Sequence, residues 1–164
     1  MWSLMIISYL FMAITFIFLI LTGMQGYYQF QIVQANHSQF ALLSSIFYMF
    51  TETLVMFYFI GSGVAIKKTI QDYNLDVNIY EDVKKTKMKL FPHLTLNMFL
   101  IAIVFILGGA VETGATSGLV HGLLFFIAFL HFLYTIRIQH VGFKENMDVI
   151  IELADLNEAK SLVN

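Results

Sequence analysis

Apolar residues along the chain gather into four long runs separated by short polar stretches, and each run has the length of a membrane span. Positions 4–23 form an uncharged run of twenty residues, about what a helix needs to cross a ~30 Å hydrocarbon layer. The second run, 39–66, carries one charge, Glu52, and stops at Lys67 and Lys68. Its length requires tilt or projection beyond the bilayer. The third, 91–110, places Pro92 in its expected first turn, where a missing amide donor costs nothing, and finishes at Gly108 and Gly109. The fourth, 118–138, is interrupted only by Arg137 near its far end. The pattern predicts an all-α, four-helix transmembrane bundle of up-down-up-down order, with residues 1–164 forming a single integral membrane domain. A secretory signal peptide is the competing reading of 4–23. No Lys or Arg precedes that run and no small-x-small cleavage pattern closes it before Gln25, so a span is expected.

The connections set the orientation. Positions 24–38 are polar and Gln-rich with Tyr27, Tyr28 and Phe30, as suits a segment at the membrane interface. The stretch 111–117 is so short that spans three and four must be antiparallel neighbours. Residues 67–90 hold ten charges of mixed sign and read as a solvated cytoplasmic connector, with room for a helical extension of span two. In the tail, 139–164, Met147, Ile150, Ile151 and Ala154 recur at helical spacing and Leu153 and Leu156 widen the face. This predicts a short cytoplasmic amphipathic helix that lies on the membrane, docks on a partner or frays. All nine basic residues fall in the connector or at and beyond the end of span four, regions that share one side. The positive-inside rule then puts both termini in the cytoplasm, in an inner (plasma) membrane.

Composition agrees and narrows the function. Of the 164 residues, 59% are hydrophobic and 12% charged, about half the charge that a soluble domain carries. Nine basic against eleven acidic residues offer no positive face for a phosphate backbone, so nucleic acid is not an expected partner. The absence of cysteine removes disulfides, thiolate zinc sites, iron–sulfur clusters and cysteine nucleophiles together. No G-x-S-x-G elbow, Walker loop, HExxH or Gly-rich dinucleotide fingerprint occurs, and Gly61-Ser62-Gly63 reads better as helix packing than as a phosphate loop.

What chemistry remains lies inside the spans, where ionisable groups are costly and so functional by default. Counting ~1.5 Å of rise per residue puts Glu52 and His131 both about 18 Å below the outer ends of spans two and four, with Asn97 of span three near the same level. Ser45, Tyr48, Glu52 and Phe59 share one helical face bordered by Thr51, and Leu124, Ala128, His131 and Thr135 form a matching stripe. A second tier, His37, Glu112 and His121, lies near the outer surface. Two imidazoles and a carboxylate make a common set of ligands for zinc, iron or copper. His121 and His131 are ~15 Å apart along the helix and cannot share an ion. His93 sits at the inner end of span three, near Tyr58 and Arg137, and misses the level of His131 by about 7 Å.

The leading expectation is therefore a bundle that binds a metal ion (Fe, Cu or Zn) or haem b and serves redox or electron-transfer chemistry. The metal would use His37, Glu112, His121, Glu52 and His131, and the cofactor His131, Glu52 and His93. Two alternatives stand beside it. One is a proton- or ion-conducting oligomer built on a midplane Glu52–His131 pair. The other is an accessory subunit of a larger membrane complex. The expected partners are the lipid bilayer, further copies of the chain and other membrane subunits.

Overall fold

The computed structural model describes the backbone of residues 2–163 and the side chains of 2–156. Among the described residues there are four α-helices and no strand: α1 (Trp2–Tyr28), α2 (His37–Asp72), α3 (Asn78–Glu112) and α4 (Gly118–Val163). All four are long and apolar enough to cross a membrane. Large apolar side chains such as Leu10, Phe50, Phe99 and Phe126 stay exposed on the outside of the bundle, the surface that lipid rather than water would cover.

Local signals fix the helix ends. Asn36 accepts a hydrogen bond from the Gln39 backbone N–H at 3.0 Å, and the Gln39 side chain accepts one from the Asn36 N–H at 3.0 Å. This reciprocal box satisfies two donors that would otherwise be orphaned at the start of α2. The turn between α2 and α3 passes through Asn74 at φ 49°, and Asp76 accepts from the Asn78 N–H at 2.9 Å. Gly114 takes φ +74° between α3 and α4, a conformation that disfavours a Cβ.

Two helices run further than the sequence pattern suggests. α3 begins at Asn78, so Pro92 lies inside the helix and does not open it. Proline has no N–H to give the carbonyl of Met88. The helix nevertheless continues on its N-terminal side because Val83, Thr86 and Leu90 bury a face there. α4 likewise continues without a break through the residues expected to form a separate tail helix. Its inward residues are Phe143, Asn146, Met147 and Leu153, whereas Ile151 and Ala154 point outward. Leu153 joins Ile66, Ile70 and Val83 in an apolar cluster flanked by Tyr80, Val149 and Ile150. The connector and tail thus cover each other, extending the core past Lys67 and Lys68.

Within the bundle α1 packs on α2 and α4, α3 packs on the same two, and α2 meets α4 across the middle. The buried stripe of α1 is Ser8, Met12, Thr15, Leu19, Thr22 and Gln25. Its spacing alternates between four and three for most of its length, as in a coiled-coil seam. The hydroxyls of Ser8, Thr15 and Thr22 recur every seventh residue; Ser8 donates to the Leu4 carbonyl of its own helix, and the other two pair with α2, Thr15 with Thr51 at 2.8 Å and Thr22 with Ser44 at 2.7 Å. Small hydroxyl residues let helix backbones approach closely where lipid supplies no hydrophobic drive. Replacing Thr15 by Val keeps the shape and removes the bond. The expected cost is about 0.6 kcal/mol and no more than ~1.7 kcal/mol, read from reversible unfolding in mixed micelles.

Candidate functional site

Near the middle of the bundle, three helices each contribute polar side chains at i, i+4 spacing. α2 supplies Tyr48 and Glu52, α3 supplies His93 and Asn97, and α4 supplies His131, Thr135 and Gln139. This spacing places successive side chains one above another on one helical face. Glu52 is fully buried. The Gln139 amide donates to Glu52 Oε2 at 2.5 Å, and the Tyr48 hydroxyl also interacts with the carboxylate. Asn97 Nδ2 donates to Tyr48 Oη at 2.7 Å, His131 Nδ1 meets Asn97 Oδ1 at 2.8 Å, and His93 Nδ1 meets His131 Nε2 at 3.5 Å. Thr135 donates to the His131 backbone carbonyl at 2.8 Å.

These contacts have a common direction. Because the Asn97 amide nitrogen faces Tyr48, its carbonyl oxygen faces His131. A carbonyl can only accept, so His131 carries its proton on Nδ1 and presents an Nε2 lone pair to His93. The Tyr48 oxygen accepts from Asn97, which leaves its own O–H to turn toward Glu52. Each donor from His93 onward therefore points toward the Glu52 carboxylate, which Gln139 supports from the other side. Aligned bonds of this kind polarise one another in a low-dielectric interior. Glu52 Oε1 and Gln139 Oε1 are buried without a hydrogen-bond partner. Of these two, the carboxyl oxygen of Glu52 can take up a proton, whereas the amide oxygen of Gln139 can only accept a hydrogen bond.

The surrounding polar residues hold this group in place. Thr51, beside Glu52, bonds Thr15 of α1. On the Lys67 side, Asn146 donates to Tyr58 Oη at 3.1 Å and Ser62 donates to Asn146 Oδ1 at 3.2 Å.

The outer tier is separate. His37 and His121 approach edge to face with ring centroids 6.1 Å apart. A Cβ on Gly26 of α1 would come within 3.0 Å of the His37 ring, and one on Gly108 of α3 within 3.3 Å of the His121 ring. Each imidazole therefore occupies space left by a glycine. Glu112 is exposed at the end of α3.

Several expectations change at this point. Glu52 and His131 both turn inward, yet among the described residues they are joined through Tyr48 and Asn97 and not directly. Tyr48 is the α2 residue level with His131, and Glu52 is level with Gln139. His93, expected to miss His131, pairs with it, their ring centroids 5.6 Å apart, and also packs on Tyr134 at 5.1 Å. Tyr58, expected near His93, packs on Phe59 and Phe143. On this part of α2 the fully buried serine is Ser44, while Ser45 is half-buried. Among the described residues no three His, Asp or Glu side chains converge as a ready metal site, so His37, Glu112, His121, Glu52 and His131 do not form one ligand set. Gln139 is the residue that sequence reasoning missed, because Arg137 marked the end of the span. The stripe Ala128, His131, Thr135 continues to Gln139 at the same spacing, and that continuation was the available signal.

No protein-family model, curated protein or solved structure matches the chain.

Proposed function

We propose that this protein is a four-span bundle that handles protons within a membrane, with Glu52 as the internal proton acceptor and the His93–His131 pair as a second protonatable group whose charge is coupled to it through Asn97 and Tyr48. The observation that carries this reading is the shared direction of the hydrogen bonds from His93 to Tyr48, whose hydroxyl is left to turn toward Glu52. Acid and imidazole side chains linked in this way inside a span are the material of proton relays. Asn97 and Tyr48 act as the links. They reorient and polarise, so that the charge on Glu52 is felt at His131 and the reverse. A cofactor between His93 and His131 would have to push aside rings that already meet, which favours proton handling over electron transfer.

The finer topology belongs to the same proposal. The pairs Thr15–Thr51 and Thr22–Ser44, then Tyr48–Asn97 and the approach of the Lys87 side chain to Gly63, then Thr86–Glu145 and Asn97–His131, descend in number on one helix as they rise on the next. That order supports an up-down-up-down bundle. The basic residues at one end support an inner membrane with both termini cytoplasmic, which sets the His93 end toward the cytoplasm. Self-association, or docking on another membrane subunit, would complete a path beyond Glu52. The test is proton movement into liposomes that enclose a pH-sensitive dye, driven by an imposed potential. The reconstituted protein is expected to acidify the lumen faster than protein-free vesicles do, and equal rates would refute the reading.

A further inference from the structure

The outer pair of imidazoles is not used by the relay. His37 opens α2, His121 sits one turn into α4, and the loops between helices bring them together. Both Nδ1 atoms are buried and neither makes a hydrogen bond of normal geometry, the Thr22 backbone acting on the His37 ring from α1. A buried ring nitrogen without a full partner forfeits its hydration, and the pair does so twice. A shared occupant with affinity for imidazole nitrogen would relieve both. Given Zn–N bonds of ~2.0–2.1 Å, two imidazoles on one tetrahedral ion place their ring centres roughly 5 Å apart. The observed separation is 6.1 Å, so a shift of about 1 Å closes the pair on an ion.

Two further features suit a cation. Burial and the neighbouring His121 ring disfavour a proton on His37, and the Glu112 carboxylate, one turn beyond Gly108 on α3, weakly favours positive charge there. It is exposed, so its side chain can turn toward the pair at little cost. The N-terminal turns of α2 and α4, which disfavour positive charge, are balanced by the C-terminal turns of α1 and α3 that carry Gly26 and Glu112.

We propose that His37 and His121 bind one divalent transition-metal ion of the zinc or copper type at the outer end of the bundle, with Glu112 and water completing the coordination. This site is independent of the proton relay. The glycines serve it by leaving room for the rings: a methyl at Gly26 would press on His37 and spoil its approach.

The test uses the full chain in detergent, first with Cu2+ as a spectroscopic probe and then with Zn2+ alone in a competition titration against a chelating dye. Nitrogen hyperfine structure from two imidazoles is expected in the Cu2+ spectrum of the unaltered protein. Zn2+ binding at one ion per chain is expected to weaken more than tenfold in His121→Ala, since even outer-sphere partners of a metal are worth ~10–100-fold. His131→Ala, in the inner tier, should bind Zn2+ as the parent does. A Cu2+ spectrum without two-nitrogen coupling overturns the proposal even if His121→Ala fails to fold, and so does unchanged Zn2+ affinity in a folded His121→Ala. Because neither readout involves proton flux, failure here leaves the relay standing, and failure of the relay leaves this site standing.

Discussion

Glu52→Gln is expected to lower proton flux in liposomes to the level of protein-free vesicles while the bundle stays folded. Glutamine keeps the shape of the carboxyl group and its acceptor oxygen, so the Gln139 amide still has a partner for its 2.5 Å contact. Only the site that gains and loses the proton is removed. The apolar clusters of the bundle, which include Val55, Phe59, Leu94 and Phe132, are untouched. Flux in Glu52→Gln equal to that of the parent would leave the carboxylate as a mere register pin. A fall in flux accompanied by unfolding would instead say that its role is structural.

The second large effect is on stability. Among the described side chains, the Gln139 amide is the nitrogen donor that reaches Glu52. Leucine at that position fills a similar volume but leaves the buried carboxyl without the donor. Leaving a buried polar acceptor without its donor costs ~1–3 kcal/mol. Gln139→Leu is therefore expected to destabilise the bundle by about 2 kcal/mol in mixed-micelle unfolding. Adding Glu52→Leu should recover most of that loss, because two apolar side chains facing each other need no partner. If the double variant is as unstable as the sum of the singles, the two residues do not act on each other and the site is assigned wrongly.

Much of this was legible in the residue pattern, and the failures have physical causes. Four spans could be read because bilayer thickness and the cost of charge in hydrocarbon leave few ways to place twenty uncharged residues. The ends of α3 and α4 could not, because charge marks where lipid stops and does not mark where helix stops. Val83, Leu90 and Leu153 keep a buried face among residues whose charges look solvated. That same error hid Gln139, which lies two residues beyond Arg137 yet points inward. The inward turn of Glu52 followed from its polar stripe with Tyr48 and Thr51. Its partner did not, since counting rise from span ends ignores that neighbouring helices choose register by packing. One helical turn of error, ~5.4 Å, is enough to move the contact of His131 from Glu52 to the Tyr48–Asn97 bridge.

The central claim is that Glu52 and His131 feel each other's charge through Tyr48 and Asn97, and infrared difference spectroscopy across a pH step measures that coupling directly. The account predicts a carboxylic-acid C=O band that is absent in Glu52→Gln and displaced in both His131→Ala and Asn97→Leu. A Glu52 band that keeps its position and its titration in those two variants would contradict it.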